Sequence, residues 1–287
     1  MEKAQEACFS TPEYDAPPPA YSETETSYQA PPVDSKDRLR DVEPASRTNR
    51  QFPPSFNAYY QKKLSMTMHL GEHREQPLFA VKMHSGWRGK PGIVLHGGPS
   101  SDDPVLASAV NKSYWSRHTT VTLPPLPDSP SESCSEFMQT HTSLKTLTYK
   151  FAVEVGDGPN AHREDFEWRH SRGAEIRGLD KHSWGWKLAR LGACSQGSGG
   201  ERNERSLGET SDGKEVVAVW AQNSGWSLTK AYKFEFVGAG LTGEMGERWA
   251  LMAVITALRI WHIEWTAQNA AAGSSSGAAA GAAAAAA

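Results

Sequence analysis

The sequence predicts a mainly β domain, an antiparallel sheet closed or sandwiched about one C-terminal helix, and three observations lead there. From Leu64 onward, short stretches alternate apolar with polar residues and are bounded by Gly, Pro, Asn, Asp and Ser. Alternation with period two marks a strand with one buried face. No long helical pattern separates these stretches, which argues against βαβ units and a parallel sheet. The one strongly apolar helical segment, Gly246 to Trp265, comes after all of them.

Along the chain, residues 1 to 55 come first: Pro, Ser, Thr, Glu and Asp with scattered Arg, no Trp and almost no aliphatic run. Such a segment cannot bury enough apolar surface to offset its ordering entropy and is expected to be a disordered arm. All ten Trp lie between Trp87 and Trp265, which leaves roughly 210 residues for a single core. The domain is expected over 56–266. Its clearest strand is Thr146 to Val155, with Leu147, Tyr149, Phe151, Val153 and Val155 on one face. The same period recurs at Phe166 and Trp168; at Trp184, Trp186 and Leu188; at Val216, Ala218 and Trp220; and at Tyr232, Phe234 and Phe236. Fainter strands are expected at Leu64 to Leu70, Leu78 to His84, Gly92 to Leu95 and Thr119 to Leu123. Residues 124–143, rich in Pro and Ser, and 193–213, rich in Gly, Ser, Glu and Arg, are expected to be long loops.

The helix over 246–265 is apolar on nearly every side from Trp249 to Leu258, so it must be buried in protein or in lipid. Its longest uncharged run is ten residues, against the ~20 of a bilayer span, and Arg259, His262 and Glu264 would have to enter the membrane to extend it. A single-pass, membrane-anchored protein is therefore the least favoured reading. An enclosing barrel covers such a helix on all faces, with Trp249, Leu251, Val254, Ile255 and Leu258 as its core contacts. The Ala, Gly and Ser tail over 267–287 has no side chains with which to build a core.

Charge narrows the partners. The chain carries a formal net charge of −3, and the arm's 10 acids against 6 bases leave 24 bases and 23 acids in the remainder. A near-neutral domain has no global field for nucleic acid. Cys8, Cys134 and Cys194 show neither CxxC spacing nor an even framework, so free thiols are expected. The first residues, MEKAQEACFS, lack the apolar core of a secretory leader. A cytoplasmic protein, peripheral at membranes, is the expectation, and the Asn111-Lys112-Ser113 sequon is then a chance match.

A strand-rich run closed by an all-round hydrophobic C-terminal helix resembles the tubby C-terminal-like superfamily, which includes the LURP-one-related proteins and the phospholipid scramblases. The likeness covers roughly 56–266. It is carried by Lys90-Pro91-Gly92-Ile93-Val94-Leu95, by the Asp103-Pro104-Val105-Leu106-Ala107 that follows, and above all by the helix from Arg248 to Trp265. The resemblance implies a barrel of about twelve strands with the helix through its centre. It also implies a binding module for anionic phospholipids or phosphoinositides, since the tubby proteins hold phosphoinositide headgroups on basic side chains of the barrel wall. A Pro-rich arm is similar to that of the scramblases, but the cysteine cluster and acidic calcium loop sought in a scramblase are absent from this sequence.

Few short motifs carry chemistry. Pro18-Pro19-Ala20-Tyr21 is a PPxY sequence in a Pro-rich tract. Proline holds the chain in polyproline II, so a WW groove can take Pro18 and Pro19 while Tyr21 fills a second pocket. This makes an adaptor for, or substrate of, a WW-domain HECT ubiquitin ligase the alternative function. His96-Gly97-Gly98-Pro99 resembles an oxyanion loop, but no GxSxG elbow accompanies it, Gly225-Trp226-Ser227-Leu228-Thr229 lacking the second Gly. It is expected to be a turn after a strand. Ten dispersed histidines without HExxH or paired Cys do not suggest a metal, and Asp157, Glu164, Asp165 and Glu167 lack EF-hand spacing. No catalytic residue and no cofactor are expected, and the chain is not read as an enzyme. Arg169, Arg172, Arg177 and Lys181, beside Trp184 and Trp186, form a basic strip able to hold an anionic headgroup.

Overall fold

The computed structural model describes residues 52–61, 66–84, 91–111, 118–125, 134–144, 146–156, 158, 161–179, 182–194, 208–223 and 229–285. Twelve strands run in chain order: β1 (Ser55–Tyr60), β2 (Thr67–Gly71), β3 (Phe79–Met83), β4 (Ile93–His96), β5 (Val105–Asn111), β6 (His118–Leu123), β7 (Cys134–Thr142), β8 (Leu147–Val155), β9 (His162–Ser171), β10 (Gly185–Cys194), β11 (Lys214–Gln222) and β12 (Lys230–Phe236). Each pairs antiparallel with its neighbours in sequence, and β12 returns to β1 to close the barrel. The closing seam pairs Ser55 with Glu235 and Phe56 with Phe234.

Strand alternation sets which side chains point inward. On β8, Tyr149, Phe151, Val153 and Val155 are buried while the residues between them are partly exposed. Phe166 and Trp168, Trp186 and Leu188, and Tyr232, Phe234 and Phe236 face the same interior. Through it runs α3 (Gly246–Ala285), whose residues 251–262 are buried without a break. Trp249, Leu251, Val254, Ile255 and Leu258 all belong to that core, as expected of a helix with no outward face. Aromatic contacts tie helix to wall: Trp249 lies 5.9 Å from Phe166 and 5.6 Å from Phe236, and Trp261 lies 6.1 Å from Tyr232, between ring centroids. Thr256, a fully buried hydroxyl on the helix, donates to the Met252 carbonyl at 2.7 Å and accepts from Trp168 Nε1 at 2.9 Å. Its hydroxyl is thus satisfied where water cannot reach. No helix among the described residues is long and apolar enough to cross a membrane.

Two expectations need correction. The far part of the 124–143 loop is strand β7, and the reason is a broken pattern: Glu136 is buried beside Met138, at 3% exposure, while Phe137 between them is 50% exposed. Arg163 Nη1 donates to Glu136 Oε1 at 3.0 Å, which compensates the buried carboxylate. The helix does not stop at Trp265 but continues to Ala285. Alanine has the strongest helix propensity, and a tail growing from a formed helix needs no new nucleus. Two single turns complete the fold, α1 (Ala174–Arg177) between β9 and β10, and α2 (Ala239–Thr242) ahead of α3.

Candidate anion-binding cleft

The turn from β9 through α1 to β10 builds a cleft on the outer wall. Ile176 of α1 is buried in a small apolar cluster with Leu179, Val216, Val219 and Ala221, which pins the turn against the barrel. Gly185 permits that approach, since a Cβ there would lie 2.5 Å from the Trp220 carbonyl oxygen and 3.1 Å from Ile176 Cδ1. Ser171 locks the start of the turn: its hydroxyl accepts from the Gly173 N–H at 3.1 Å and donates to Glu175 Oε1 at 2.7 Å.

The result is a cleft of about 560 Å³ lined by Arg172, Glu175, Arg177, Lys187, Glu209 and Ser211, among others. His170, Ser171 and Arg172 also line a neighbouring hollow of about 490 Å³, walled by Trp184. Arg172 and Arg177 are exposed, and among the described residues neither is ion-paired. The Arg177 guanidinium donates to the Arg172 carbonyl at 2.8 Å, which holds the two residues together. Lys187 lies 3.2 Å from Glu175. Burial alone would raise the Glu175 carboxyl, but the Ser171 hydroxyl and Lys187 bring it below the ordinary range, so it stays ionised. The His170 ring lies 3.7 Å from that of Trp186 and 5.9 Å from that of Trp184, and burial lowers its pKa.

Of the four bases singled out in the sequence, the structure brings Arg172 and Arg177 onto one cleft. Arg169 is engaged elsewhere: its Nε donates to Glu167 at 2.6 Å and its Nη1 to both oxygens of Asp212, at 2.8 and 2.9 Å. It fastens to β9 the turn that carries Glu209 and Ser211. Lys181 lies outside the described residues, as do Pro18, Pro19 and Tyr21. Lys187 joins the cleft from β10; its place on the outward face beside Arg169, its cross-strand partner, was implicit in the alternation around Trp186 and Leu188. An array of guanidinium, ammonium and hydroxyl donors suits an oxyanion, since an Arg fork can grip phosphate with two parallel bonds.

A second polar group sits where α3 leaves the barrel. Arg259 is 9% and His262 3% exposed, and Arg259 Nη1 lies 2.9 Å from His262 Nδ1. Burial pulls Arg259 down to about 10, and burial together with the Arg259 charge pulls His262 down to about 4. Glu264 Oε1 accepts from Trp186 Nε1 at 3.0 Å, and burial pushes this carboxyl up to about 7. Tyr149 feels both charges, its hydroxyl raised to about 12 first by burial and then by Glu264, with Arg259 opposing. In the sequence these residues stood out only as charges unfit for a membrane span. His96, from the HGGP stretch, ends β4 with Nδ1 2.8 Å from the Asp103 carbonyl, and Gly97 N–H donates to the Pro104 carbonyl at 2.8 Å, as a turn requires. Among the described residues no His, Cys, Asp or Glu group is arranged to hold a metal.

A closed twelve-strand barrel does not by itself identify the tubby-like superfamily. No known protein family matches the chain, and no curated protein or solved structure matches it either.

Proposed function

We propose that the chain is a non-enzymatic, tubby-like binding module whose β9–α1–β10 cleft takes the phosphate headgroup of an anionic membrane lipid. The observation that carries this reading is the pair Arg172 and Arg177, two exposed guanidiniums without ion-pair partners among the described residues, on one cleft with Lys187. On a domain of near-zero net charge, attraction to a membrane has to be local. Each base close to an anionic surface contributes about 1 kcal/mol, so the two unpaired arginines give weak, salt-sensitive attachment that a gripped headgroup then strengthens, Lys187 being offset by Glu175 at 3.2 Å. Glu209 on the same cleft opposes this, and favours a ligand that reaches the arginines without crossing it.

Flotation of the full-length chain on phosphatidylcholine vesicles, with and without phosphatidylinositol phosphate, tests the reading at low and at physiological salt. The wild type is expected to float only with the anionic lipid, and Arg172→Glu combined with Arg177→Glu to stay at the bottom. Equal recovery on neutral and anionic vesicles at low salt sinks the lipid reading. Binding that survives the double charge reversal keeps the ligand and refutes the cleft.

The PPxY sequence supports a second, compatible reading in which the arm recruits a WW-domain protein, such as a HECT ubiquitin ligase, to whatever the barrel holds.

A further inference from the structure

We propose that the barrel mouth where α3 emerges is a second anion site, in which Arg259 and His262, packed against Gly92, hold a phosphate-type oxyanion. The Arg259 guanidinium is nine-tenths buried, and among the described residues no carboxylate pairs with it. An ion withdrawn from water without a counter-charge is one of the costliest features a fold can hold, and buried charges are ordinarily paired.

Hydrogen-bond accounting gives the sign of the missing partner. Arginine can only donate, so His262 Nδ1 must accept from Nη1, and the imidazole proton then resides on Nε2. Among the described residues, both that Nε2–H and the Arg259 Nε–H are buried and unpartnered. What the pair lacks is an acceptor. Glu264, the nearest acid along the helix, does not supply one: Oε1 takes the Trp186 N–H, and the buried Oε2 has no partner among the described residues.

The backbone is shaped around the same spot. A Cβ on Gly92 would lie 2.9 Å from Arg259 Nη1, so the bare backbone entering β4 lets the guanidinium settle beside it, and an added methyl would push it aside; His262 Cε1, at 3.6 Å, would be in ordinary contact. An acceptor-rich, compact anion meets both needs of the pair: it neutralises the guanidinium and offers acceptors to the two orphan protons. This site shares no residue with the outer cleft and stands or falls without it.

The test is thermal unfolding of the full-length chain in inorganic phosphate against sodium chloride of equal ionic strength. Phosphate at a hundredfold excess over its Kd is expected to raise the melting temperature by about 5 °C beyond chloride. Arg259→Met should lose the increment. Gly92→Ala keeps the charge but displaces the guanidinium, and should lose it too, so the site is testable even if the arginine variant folds poorly. Arg172→Glu with Arg177→Glu should retain it, which separates the mouth from the cleft. No phosphate increment in the wild type overturns the proposal, as does an increment left intact in both Arg259→Met and Gly92→Ala. Flotation on phosphatidylinositol phosphate vesicles in the Arg172→Glu, Arg177→Glu background then assigns the source: residual flotation that Gly92→Ala removes points to a lipid headgroup, and no residual flotation to a free anion.

Discussion

Replacing Glu264 by Gln should reshape the pH dependence of stability. The carboxyl, with its side chain 15% exposed, is pushed by burial from the ordinary 4.5 up to about 7, the Trp186 hydrogen bond opposing. Between those two pH values the folded chain holds a proton that the unfolded chain has released. Stability contributed by this group is therefore present at low pH and lost as pH rises through 7. At about 1.4 kcal/mol for each tenfold change in proton affinity, the loss amounts to about 3 kcal/mol. Glutamine keeps an oxygen for Trp186 Nε1 and never ionises. The variant should thus gain on the wild type by about 3 kcal/mol between pH 5 and pH 8, about 5 to 10 °C in melting temperature for a domain of this size. Urea unfolding followed by Trp fluorescence at both pH values measures the difference directly. His262, lowered to about 4, carries the opposite sign, stability rising with pH, and cancels because it is present in both proteins; His170, also lowered, has Nε2 3.9 Å from Glu264 Oε1, so the comparison is made with His170→Phe in both proteins. A wild-type-to-variant difference that stays constant within about 0.5 kcal/mol over that range would refute the reasoning.

Thr256→Val is expected to cost about 1 to 3 kcal/mol, because it leaves the buried Trp168 N–H without its acceptor, and a double-mutant cycle with Trp168→Phe should show positive coupling. Simple additivity would mean that the bond carries no stability. Tyr21→Ala should abolish capture by an array of WW domains while leaving the melting temperature unchanged, since the position precedes the first barrel strand, which begins at Ser55. Equal capture of both proteins would assign the interaction to another segment.

Much of this architecture could be read in advance, and the reason is physical. Tyr149, Phe151, Val153 and Val155 could only be a strand with one wet face, and Trp249 to Leu258 could only be a helix without one. Strand β7 was hidden because Glu136 faces in and Phe137 faces out, and the partner that makes this tolerable, Arg163, is 27 positions away. β1, which closes the sheet, has no alternation strong enough to distinguish it from the arm before it. The cleft was half visible. Arg172 and Arg177 are close in sequence, but only the fold brings Lys187 beside them and turns Arg169 toward Asp212. The polar mouth could not be foreseen, because the Arg259 environment depends on Gly92, which lies on the far side of the chain.

The seam between β1 and β12 has a consequence for how the molecule is made. Ser55 finds its hydrogen-bonding neighbour in Glu235, so the first strand leaves the ribosome long before its partner exists. Until then the growing sheet has two open edges, and its lining of Trp, Phe and Tyr has no helix to cover. Such edges and surfaces are the templates on which unrelated chains associate. In a closed barrel they vanish together, and only when the last strand and the helix behind it have been synthesised. The most protected form of this protein is thus preceded by its most vulnerable one, and the interval between them is the time taken to translate a single helix.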